Sequence, residues 1–373
     1  MSKATWFFRF GVLGAILILS GPWSCEPGPT AVSDLPRVAM EPGFTPAVSI
    51  CTWKSDKRAA LTLAFDDTKE SHYLLAAPEL EQRGFVGTFN LNTRDVYSWR
   101  PWQHLFEKGH ELGSHTWSHP NCSLISESRF LQEVSLAKLD LERHISGLKP
   151  VASFAYPFGA NRAENTRIVS RYHLCARCGH GINSPDTCGD GLFELKGIGA
   201  YPPFDQAQLE GQLERTLKRG GWMIYYFHSV VDSLPPDRYH MPLAFFQQHL
   251  DAIASRRDSF WIDTQRNIAE YLSLRHNAQI EIESLSRDEI NVRIRTRPGS
   301  SMWLYHTELT VRIKLPESWR GHSLIIQHAN GTFSSRTLTQ GSETMLLRIH
   351  NSDELNLFAT PQRAHRSPLR VSG

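Results

Sequence analysis

The chain has 373 residues, of which 40% are hydrophobic and 21% charged, as is typical of globular rather than disordered or fibrous proteins. Lysine and arginine total 40 against 38 for aspartate and glutamate. The resulting net charge of +2 argues against nucleic acid as the main partner, and the length predicts two domains plus tails.

The N-terminal segment predicts export. The apolar run from Phe10 to Ser20 follows basic residues; at about eleven residues it is too short to span a bilayer comfortably and is typical of a secretory signal. We therefore interpret residues 1–24 as a signal peptide or lipoprotein leader and residues 25–50 as a linker rich in proline and small residues. Lipid modification at Cys25 is the one membrane association left open beside simple secretion. The expected location is periplasmic, cell-envelope or extracellular.

The first buried strand is predicted over residues 58–65, an apolar and partly β-branched run, and a helix over residues 73–83. Asp66 and Asp67 lie where the strand ends. Burying two adjacent carboxylates costs several kcal/mol unless they are paired or bind a cation. Because neighbouring residues of an extended chain point in different directions, one carboxylate can face a metal and the other a substrate water. Two solvated loop carboxylates are the alternative interpretation.

A pair of histidines, His115 and His119, is the second feature. Within one helical turn they would share a face and reach one ion, although residues 111–119 also fit a strand and its exit loop. The alternative is a pair of surface or core histidines, since 17 histidines in 373 residues give about one such spacing by chance. His110 is interpreted as lying outside the pair.

Two further segments follow a helix predicted over residues 127–146. The first is Phe-Ala-Tyr-Pro-Phe-Gly at residues 154–159. The second is an apolar strand over residues 222–227 that ends in His228. A histidine at a strand end is by itself more often a hydrogen-bonded structural residue than a catalytic one.

Together these segments resemble the polysaccharide deacetylase family, also called carbohydrate esterase family four or the NodB homology domain. The resemblance extends from about residue 58 to about residue 271. The matching motifs are, in order, Leu-Ala-Phe-Asp-Asp at 63–67, His-Thr-Trp-Ser-His at 115–119, Phe-Ala-Tyr-Pro-Phe-Gly at 154–159 and Ile-Tyr-Tyr-Phe-His at 224–228.

The resemblance implies a metal-dependent hydrolase. In the family pattern, the residues at Asp67, His115 and His119 bind a divalent metal, usually zinc, with cobalt, nickel and manganese left open. The same pattern makes Asp66 the general base and His228 the general acid. The implied reaction removes N-acetyl groups, with O-acetyl groups left open, from an N-acetylated polysaccharide or oligosaccharide that the sequence does not specify.

The third motif departs from the family pattern. By resemblance, Tyr156, Pro157 and Phe158 contact substrate or oxyanion, and the backbone N–H of Phe158 is the expected oxyanion donor. The family arginine that pairs with the base is replaced by Ala155 in this chain. We therefore predict that Arg177 is the substitute partner of Asp66, with an ordinary surface arginine as the alternative. The fourth family motif has no match.

Three clustered cysteines, Cys175, Cys178 and Cys188, predict a local disulfide. A structural zinc site with His173 or His180 as the fourth ligand is the less favoured alternative.

The alternation of strands and helices over residues 51–276 predicts a parallel sheet or barrel. The resemblance implies a distorted (β/α) barrel with the site at the carboxyl ends of its strands. Residues 278–360 alternate apolar and polar positions between turn signals, which predicts a small antiparallel β-sandwich that packs on the barrel or binds glycan. A disordered tail is predicted over residues 361–373.

Two other functions remain open at this point. One is an amidohydrolase that acts on a C–N bond outside sugars. The other is a catalytically decayed glycan-binding protein, because the third motif is incomplete.

Overall fold

The computed structural model describes residues 36–148, 150–202, 205–232, 239–285, 288–296, 307–328, 333–337, 344–349 and 354–360. The predicted leader, Cys25 and the predicted tail lie outside these residues. Within the described ranges, no helix is both long and apolar enough to cross a membrane.

The strands, in chain order, are β1 (Val48–Ile50), β2 (Ala59–Asp66), β3 (Thr88–Leu91), β4 (Glu111–Ser114), β5 (Ser153–Ala155), β6 (Cys175–His180), β7 (Leu195–Gly199), β8 (Trp222–Phe227), β9 (Ser229–Val231), β10 (His240–Pro242), β11 (Phe260–Ile262), β12 (Ala278–Leu285), β13 (Ile290–Thr296), β14 (Leu309–Lys314), β15 (Ser323–His328), β16 (Phe333–Thr337), β17 (Thr344–Ile349) and β18 (Glu354–Thr360). The helices are α1 (Ala77–Gln82), α2 (Arg100–Glu107), α3 (Glu127–His144), α4 (Ala163–Val169), α5 (Gln206–Arg219), α6 (Leu243–Ala254) and α7 (Gln265–Asn277).

Strands β2 to β8 form a closed parallel barrel in chain order, and β2 pairs with β8 to complete the ring. β11 extends the sheet beside the first residues of β2. Because all the strands run in one direction, their carboxyl ends meet at one mouth of the barrel. The predicted distorted (β/α) barrel is confirmed.

Alternation along the strands separates the barrel interior from its outer face. On β2, Leu61, Leu63 and Phe65 pack in the core beneath the surrounding helices, whereas Ala60 and Ala64 belong to the interior cluster. Asp66 is two residues beyond Ala64 and therefore lies on the same side of β2 as Ala60 and Ala64. Its carboxylate thus points into the barrel, at the mouth.

Local signals fix the helix ends. The Ser126 hydroxyl accepts a hydrogen bond from the Arg129 N–H at the start of α3, and the Asp205 carboxylate caps α5 in the same way. α5 ends at Gly220, whose φ of 59° is in the left-handed region that glycine tolerates. The predicted helix over 73–83 is divided into a π-helical turn, His72–Ala76, and the short α1.

Two antiparallel sheets follow the barrel, in the orders β1-β14-β17 and β12-β13-β18-β15-β16. Apolar side chains of both sheets, α7 and the barrel interior belong to one continuous core. This shared core favours packing as the role of the sheets. Where the domain boundary lies stays a prediction.

The structure differs from the predicted linker over residues 36–50. β1 lies inside that range and pairs with β14, and the Val38 N–H donates to the Ala359 carbonyl. The Glu41 carboxylate accepts hydrogen bonds from the backbone of Glu317 and Ser318. A proline-rich composition predicted a spacer, but the available sheet edge gives this segment hydrogen-bond partners.

The predicted local disulfide is absent from the structure, in which Cys175, Cys178 and Cys188 are free thiols. Cys175 is fully buried in the barrel interior, where its Sγ lies 3.5 Å from the Ser153 hydroxyl. Cys178 and Cys188 are partly exposed. The sequence spacing did not reveal that Cys175 faces into the barrel.

Candidate metal and catalytic site

A cavity of about 780 Å³ opens at the mouth of the barrel, where the carboxyl ends of the strands meet. Its walls include residues that directly end or follow strands β2, β4, β5 and β8. They are Asp66, Asp67, His115, His119, Tyr156, Phe158 and His228. Residues distant in sequence are therefore brought to one edge by strand topology.

Asp67, His115 and His119 form a group that could hold a metal ion. One ligand atom from each lies within 4.8 Å of the other two. The Asp67 Oδ1 atom is 3.5 Å from His115 Nε2 and 3.1 Å from His119 Nε2. On the other side of the carboxylate, His228 Nε2 lies 4.0 Å from Asp67 Oδ2.

The hydrogen bonding of His115 explains why this group fits a cation. Its Nδ1 lies 2.8 Å from the carbonyl oxygen of Ala155, which can only accept, so Nδ1 carries the proton. In its neutral form the ring then presents the lone pair of Nε2 to Asp67 Oδ1, 3.5 Å away. Two acceptors that face each other favour a positive charge between them, which a metal ion can supply, and a histidine held through its other nitrogen is typical of metal sites.

The charge state of Asp67 agrees with this fit. Burial by itself would raise the pKa of its carboxyl group, but the neighbouring His115 and His119 lower it well below its usual range. The carboxylate is therefore ionised, as a metal ligand must be.

Asp66 is held by different partners. Its side chain is buried, its Oδ1 accepts a hydrogen bond of 2.9 Å from Asn90 Nδ2, and its Oδ2 pairs with the Arg177 guanidinium. Burial raises the pKa of Asp66, but Arg177 and then His115 oppose this, and the net pKa is lowered. The structure thus places Arg177 against Asp66, and its role as partner of a catalytic base stays a prediction.

Residues of β7 and β8 leave room for the Arg177 side chain to reach Asp66. Its guanidinium carbon lies 4.2 Å from the ring centroid of Tyr226 on β8, within the range of cation–π contact. A Cβ on Gly197 of β7 would lie 2.8 Å from Arg177 Cδ and 2.9 Å from Tyr226 Cδ1. Gly197 therefore leaves the space in which the arginine and the tyrosine stack.

His228 directly follows β8, and its backbone carbonyl accepts a hydrogen bond from a second histidine. The fully buried His72 ring places Nε2 2.6 Å from the His228 carbonyl oxygen, to which it donates. Burial lowers the pKa of His228, and the charges of Asp66 and Asp67 only partly offset this. The His228 ring is therefore mainly neutral at neutral pH.

The histidine pair lies in the exit loop of β4, and the helical turn considered for it is wrong. Thr116 and His119 have φ values of 69° and 57°, in the left-handed region that residues other than glycine rarely adopt. Asp67 also has a positive φ, 77°. Backbone strain of this kind accumulates at functional sites when surrounding contacts hold it.

The third motif is only partly available to a ligand. The Tyr156 ring is 1% exposed and packs between Phe130 and Phe154, although the residue is among those that line the cavity, so its contact with substrate stays a prediction. Pro157 is buried and is not among the cavity-lining residues. Phe158, in contrast, is 72% exposed, has a φ of 60°, and places its ring 4.8 Å from that of His119.

Several residues of the site were missed by sequence reasoning. Tyr201 and Tyr239 line the cavity with ring centroids 5.9 and 5.0 Å from that of His228. Tyr226, which was noted only as a strand residue, supports Arg177. A signal for Tyr226 and for Asn90 existed in strand alternation, because inward positions continue toward the mouth. Tyr239 lies in a turn directly before β10, where strand alternation gives no such signal.

Comparisons with known proteins agree with these motifs. Residues 54–175 match the family model described as polysaccharide deacetylase. This part of the chain is therefore similar to the polysaccharide deacetylase family, as its motifs predicted.

Individual relatives are distant. A gellan lyase from Bacillus sp is 23% identical over 290 residues, which cover 72% of this chain but only 12% of that protein. A protein described as a polysaccharide deacetylase from Mycobacterium smegmatis is 17% identical, with a TM-score of 0.46 over 61% of this chain and 94% of that one. A pseudoenzyme of carbohydrate esterase family four from Bacillus anthracis is 15% identical, with a TM-score of 0.40 over 56% and 65%.

Proposed function

We propose that this protein is a metal-dependent hydrolase that removes N-acetyl groups, and as a variant of the same chemistry O-acetyl groups, from a glycan. The observation that carries the proposal is the convergence of three metal ligands, Asp67, His115 and His119, with the separate Asp66–Arg177 pair in one cavity. Metal-assisted hydrolysis needs a ligand set and an independent base, and these residues would supply both.

Asp67, His115 and His119 would hold the metal, with zinc as the first candidate and cobalt, nickel or manganese as alternatives. When bound, a divalent metal supplies a Lewis acid for the acetyl carbonyl and lowers the pKa of water. The donor set of two imidazoles and one carboxylate suits such an open site.

Asp66 would act as the general base. Its pKa is lowered, so it is ionised and able to take a proton from the attacking water. Arg177 and Asn90 fix its two oxygens, which limits the directions in which the carboxylate can turn. The family resemblance and this geometry together support the assignment.

His228 would act as the general acid for the departing amine, which is a poor leaving group unless it is protonated. It lies on the far side of the Asp67 carboxylate from His119. Because its pKa is lowered, His228 must gain a proton before it donates one, and the negative charges of Asp66 and Asp67 favour that gain.

The cavity walls support a glycan as the substrate. Tyr201, Tyr226, Tyr239 and Phe158 present aromatic rings to the cavity, and the C–H faces of sugar rings pack on such surfaces. The family name and the polysaccharide-active relatives point to the same class of substrate. The particular polymer stays open among chitin, peptidoglycan, poly-N-acetylglucosamine and acetylated xylan.

A decayed, glycan-binding protein is the main alternative, since a pseudoenzyme is among the similar structures. The pairing of Arg177 with Asp66 argues against it, because a buried ion pair without a function is costly to keep. An amidohydrolase with a non-sugar substrate would share the same site and differs only in what the cavity accepts.

The test is acetate release from a panel of acetylated glycans, with metal-loaded protein, chelator-treated protein and the Asp66→Asn variant side by side. We expect release from at least one glycan by the metal-loaded protein alone. If no member of the panel yields acetate but the protein binds one of them, the decayed alternative is correct. Release only from a non-sugar amide would favour the amidohydrolase.

We further propose that the protein is exported, on the strength of the predicted leader at residues 1–24. Cell fractionation and N-terminal sequencing of the mature chain test this. Processing near residue 24 is expected, and a full-length chain in the cytoplasm would contradict it.

A further inference from the structure

The loop between the two histidine ligands requires an explanation for its shape. Thr116 is β-branched and His119 is bulky, yet both have positive φ values, 69° and 57°. This turn brings His119 Nε2 to 3.1 Å from the Asp67 carboxylate. A strained conformation of this kind persists only where the surroundings fix it.

One residue outside the family motifs accepts three of the hydrogen bonds that fix this loop. Glu133 of α3 is fully buried, and its two carboxylate oxygens accept hydrogen bonds of 2.7 Å from the N–H and from the hydroxyl of Ser118. Its backbone carbonyl accepts a third bond, of 3.1 Å, from the Trp117 N–H. Both residues between Thr116 and His119 are thus tied to a single position on α3.

The charge of Glu133 is balanced within the same helix. Arg129, one turn earlier, places Nη2 2.5 Å from Glu133 Oε1. The Arg129 guanidinium carbon also lies 5.8 Å from the centroid of the Trp117 ring, and Arg94 lies 5.7 Å from the same ring. The Arg129 guanidinium thus lies beside the carboxylate that accepts the two hydrogen bonds from Ser118, and such charge-assisted hydrogen bonds are stronger than neutral ones.

Other contacts hold the remaining ligands without Glu133. His115 is fixed by its bond to the Ala155 carbonyl, and Asp67 directly follows β2. His119 is different, because its own N–H bonds only to the Thr116 hydroxyl inside the same loop. The position of His119 therefore depends on what holds residues 117 and 118.

We propose that Glu133 is the positioning residue of the metal site, and that it sets metal affinity by holding His119 against Asp67. The proposal rests on the proposed metal site formed by Asp67, His115 and His119. Glu133 does not line the cavity, so it acts only through the loop. Groups that orient metal ligands typically change metal affinity about 10- to 100-fold when they are lost.

The experiment compares three variants with the full-length wild-type protein. Glu133→Gln keeps the shape of the side chain but loses the charge and one acceptor. Ser118→Ala removes only the hydroxyl partner. Glu142→Gln is the matched control, because Glu142 is also on α3, pairs with Lys138, and accepts a hydrogen bond from the Val151 N–H, remote from the loop.

Affinity for Zn²⁺ and Co²⁺ is measured by competition with a chromogenic chelator, and the visible spectrum of the Co²⁺-bound protein reports ligand geometry. We expect Glu133→Gln to weaken binding about 10- to 100-fold and to alter the Co²⁺ spectrum. Ser118→Ala should weaken binding about 3- to 10-fold, because two of the three hydrogen bonds to Glu133 remain. Glu142→Gln should bind as the wild type does.

Unchanged affinity and spectrum in a folded Glu133→Gln variant would overturn the proposal. If that variant does not fold, Ser118→Ala provides the test, and wild-type metal affinity in Ser118→Ala would also overturn the proposal. Equal loss in Glu142→Gln would show a general effect of α3 and would also overturn it. A wild-type protein that binds neither ion refutes the metal site itself, which separates failure of the proposed function from failure of the role of Glu133.

Discussion

The two ends of the barrel each bury a carboxylate, and the two groups have opposite chemistry. Glu111, at the start of β4, accepts hydrogen bonds from the hydroxyls of Thr88 and Ser153 and from the Arg266 N–H. Burial raises the pKa of Glu111 in spite of these bonds. At the mouth, the pKa of Asp66 is lowered because a cation, Arg177, is its partner.

The surroundings of these two carboxylates differ in the kind of hydrogen-bond donor and in backbone conformation. Around Glu111 the donors are neutral and belong to regular strands or to the start of α7. At the mouth the backbone is strained at Asp67, Thr116 and His119, and Asp67 Oδ1 lacks a donor. Strained backbone next to an unpaired buried carboxylate oxygen is a combination expected of a functional site.

The largest expected effect is at Asp66. Asp66→Asn removes the proton acceptor and should lower the rate constant of acetate release about 10²- to 10⁴-fold. Metal binding should be retained, because the three ligands are other residues. Steady-state kinetics with the metal content measured in parallel checks this. A rate within a few-fold of the wild type would contradict the assignment of the base.

Arg177→Ala should move the acidic limb of the pH–rate profile. Arg177 lowers the pKa of Asp66, so its loss raises that pKa and protonates the base over a wider acidic range. The limb should therefore shift to higher pH, by about 1 to 3 pH units. Arg266→Ala, which removes an arginine paired with Glu270 at the opposite end, is the control and should leave the profile in place.

Glu111→Ala should lower the stability of the fold and leave the rate constant nearly unchanged, the opposite of the effects expected for Asp66→Asn and Arg177→Ala. It leaves the Thr88 and Ser153 hydroxyls and the Arg266 N–H without an acceptor in a buried site, which costs roughly 2–4 kcal/mol of unfolding free energy. The folded fraction should keep its rate constant within a few-fold. Urea unfolding and kinetics on the same sample separate the two quantities. A loss of rate with no loss of stability would invalidate the comparison between the two ends.

The smallest effect at neutral pH concerns His173, which is fully buried and donates to the Val151 carbonyl. Burial lowers its pKa to about 3. Unfolded His173 binds a proton below about pH 6.5 and the folded residue does not, so stability is lost as pH falls from about 6.5 toward 3. His173→Gln should reduce the slope of the unfolding free energy against pH in that window, because about one proton fewer is taken up on unfolding. An unchanged slope would contradict the prediction.

Much of the candidate site could be predicted because the proposed ligands follow strand ends at short spacings. Asp66, Asp67 and the His115–His119 pair lie in two compact motifs, and strand direction brings these motifs together. Arg177 could be proposed because the family arginine is missing and the base needs a cation. These inferences depend on local sequence and on the rule that barrel sites form at carboxyl ends.

The remaining features depend on contacts between distant segments. Glu133 looks like an ordinary helix residue, and only the packing of α3 on the histidine loop reveals its partners. Gly197 has no sequence signal of its own, because its role is to leave space for side chains of β6 and β8. The pairing of β1 with β14 joins residues more than 250 positions apart. Tyr156 occupies a motif position, yet its ring is in the core.

The most direct measurement is the stoichiometry and affinity of Zn²⁺ binding to the wild-type protein and to His119→Ala, by calorimetry on metal-free samples. We predict one ion per wild-type chain and an affinity at least about 100-fold lower in the variant, because one of three protein ligands is lost. Equal affinity in the two proteins, or no saturable binding to the wild type, would contradict the central claim that Asp67, His115 and His119 hold one metal ion.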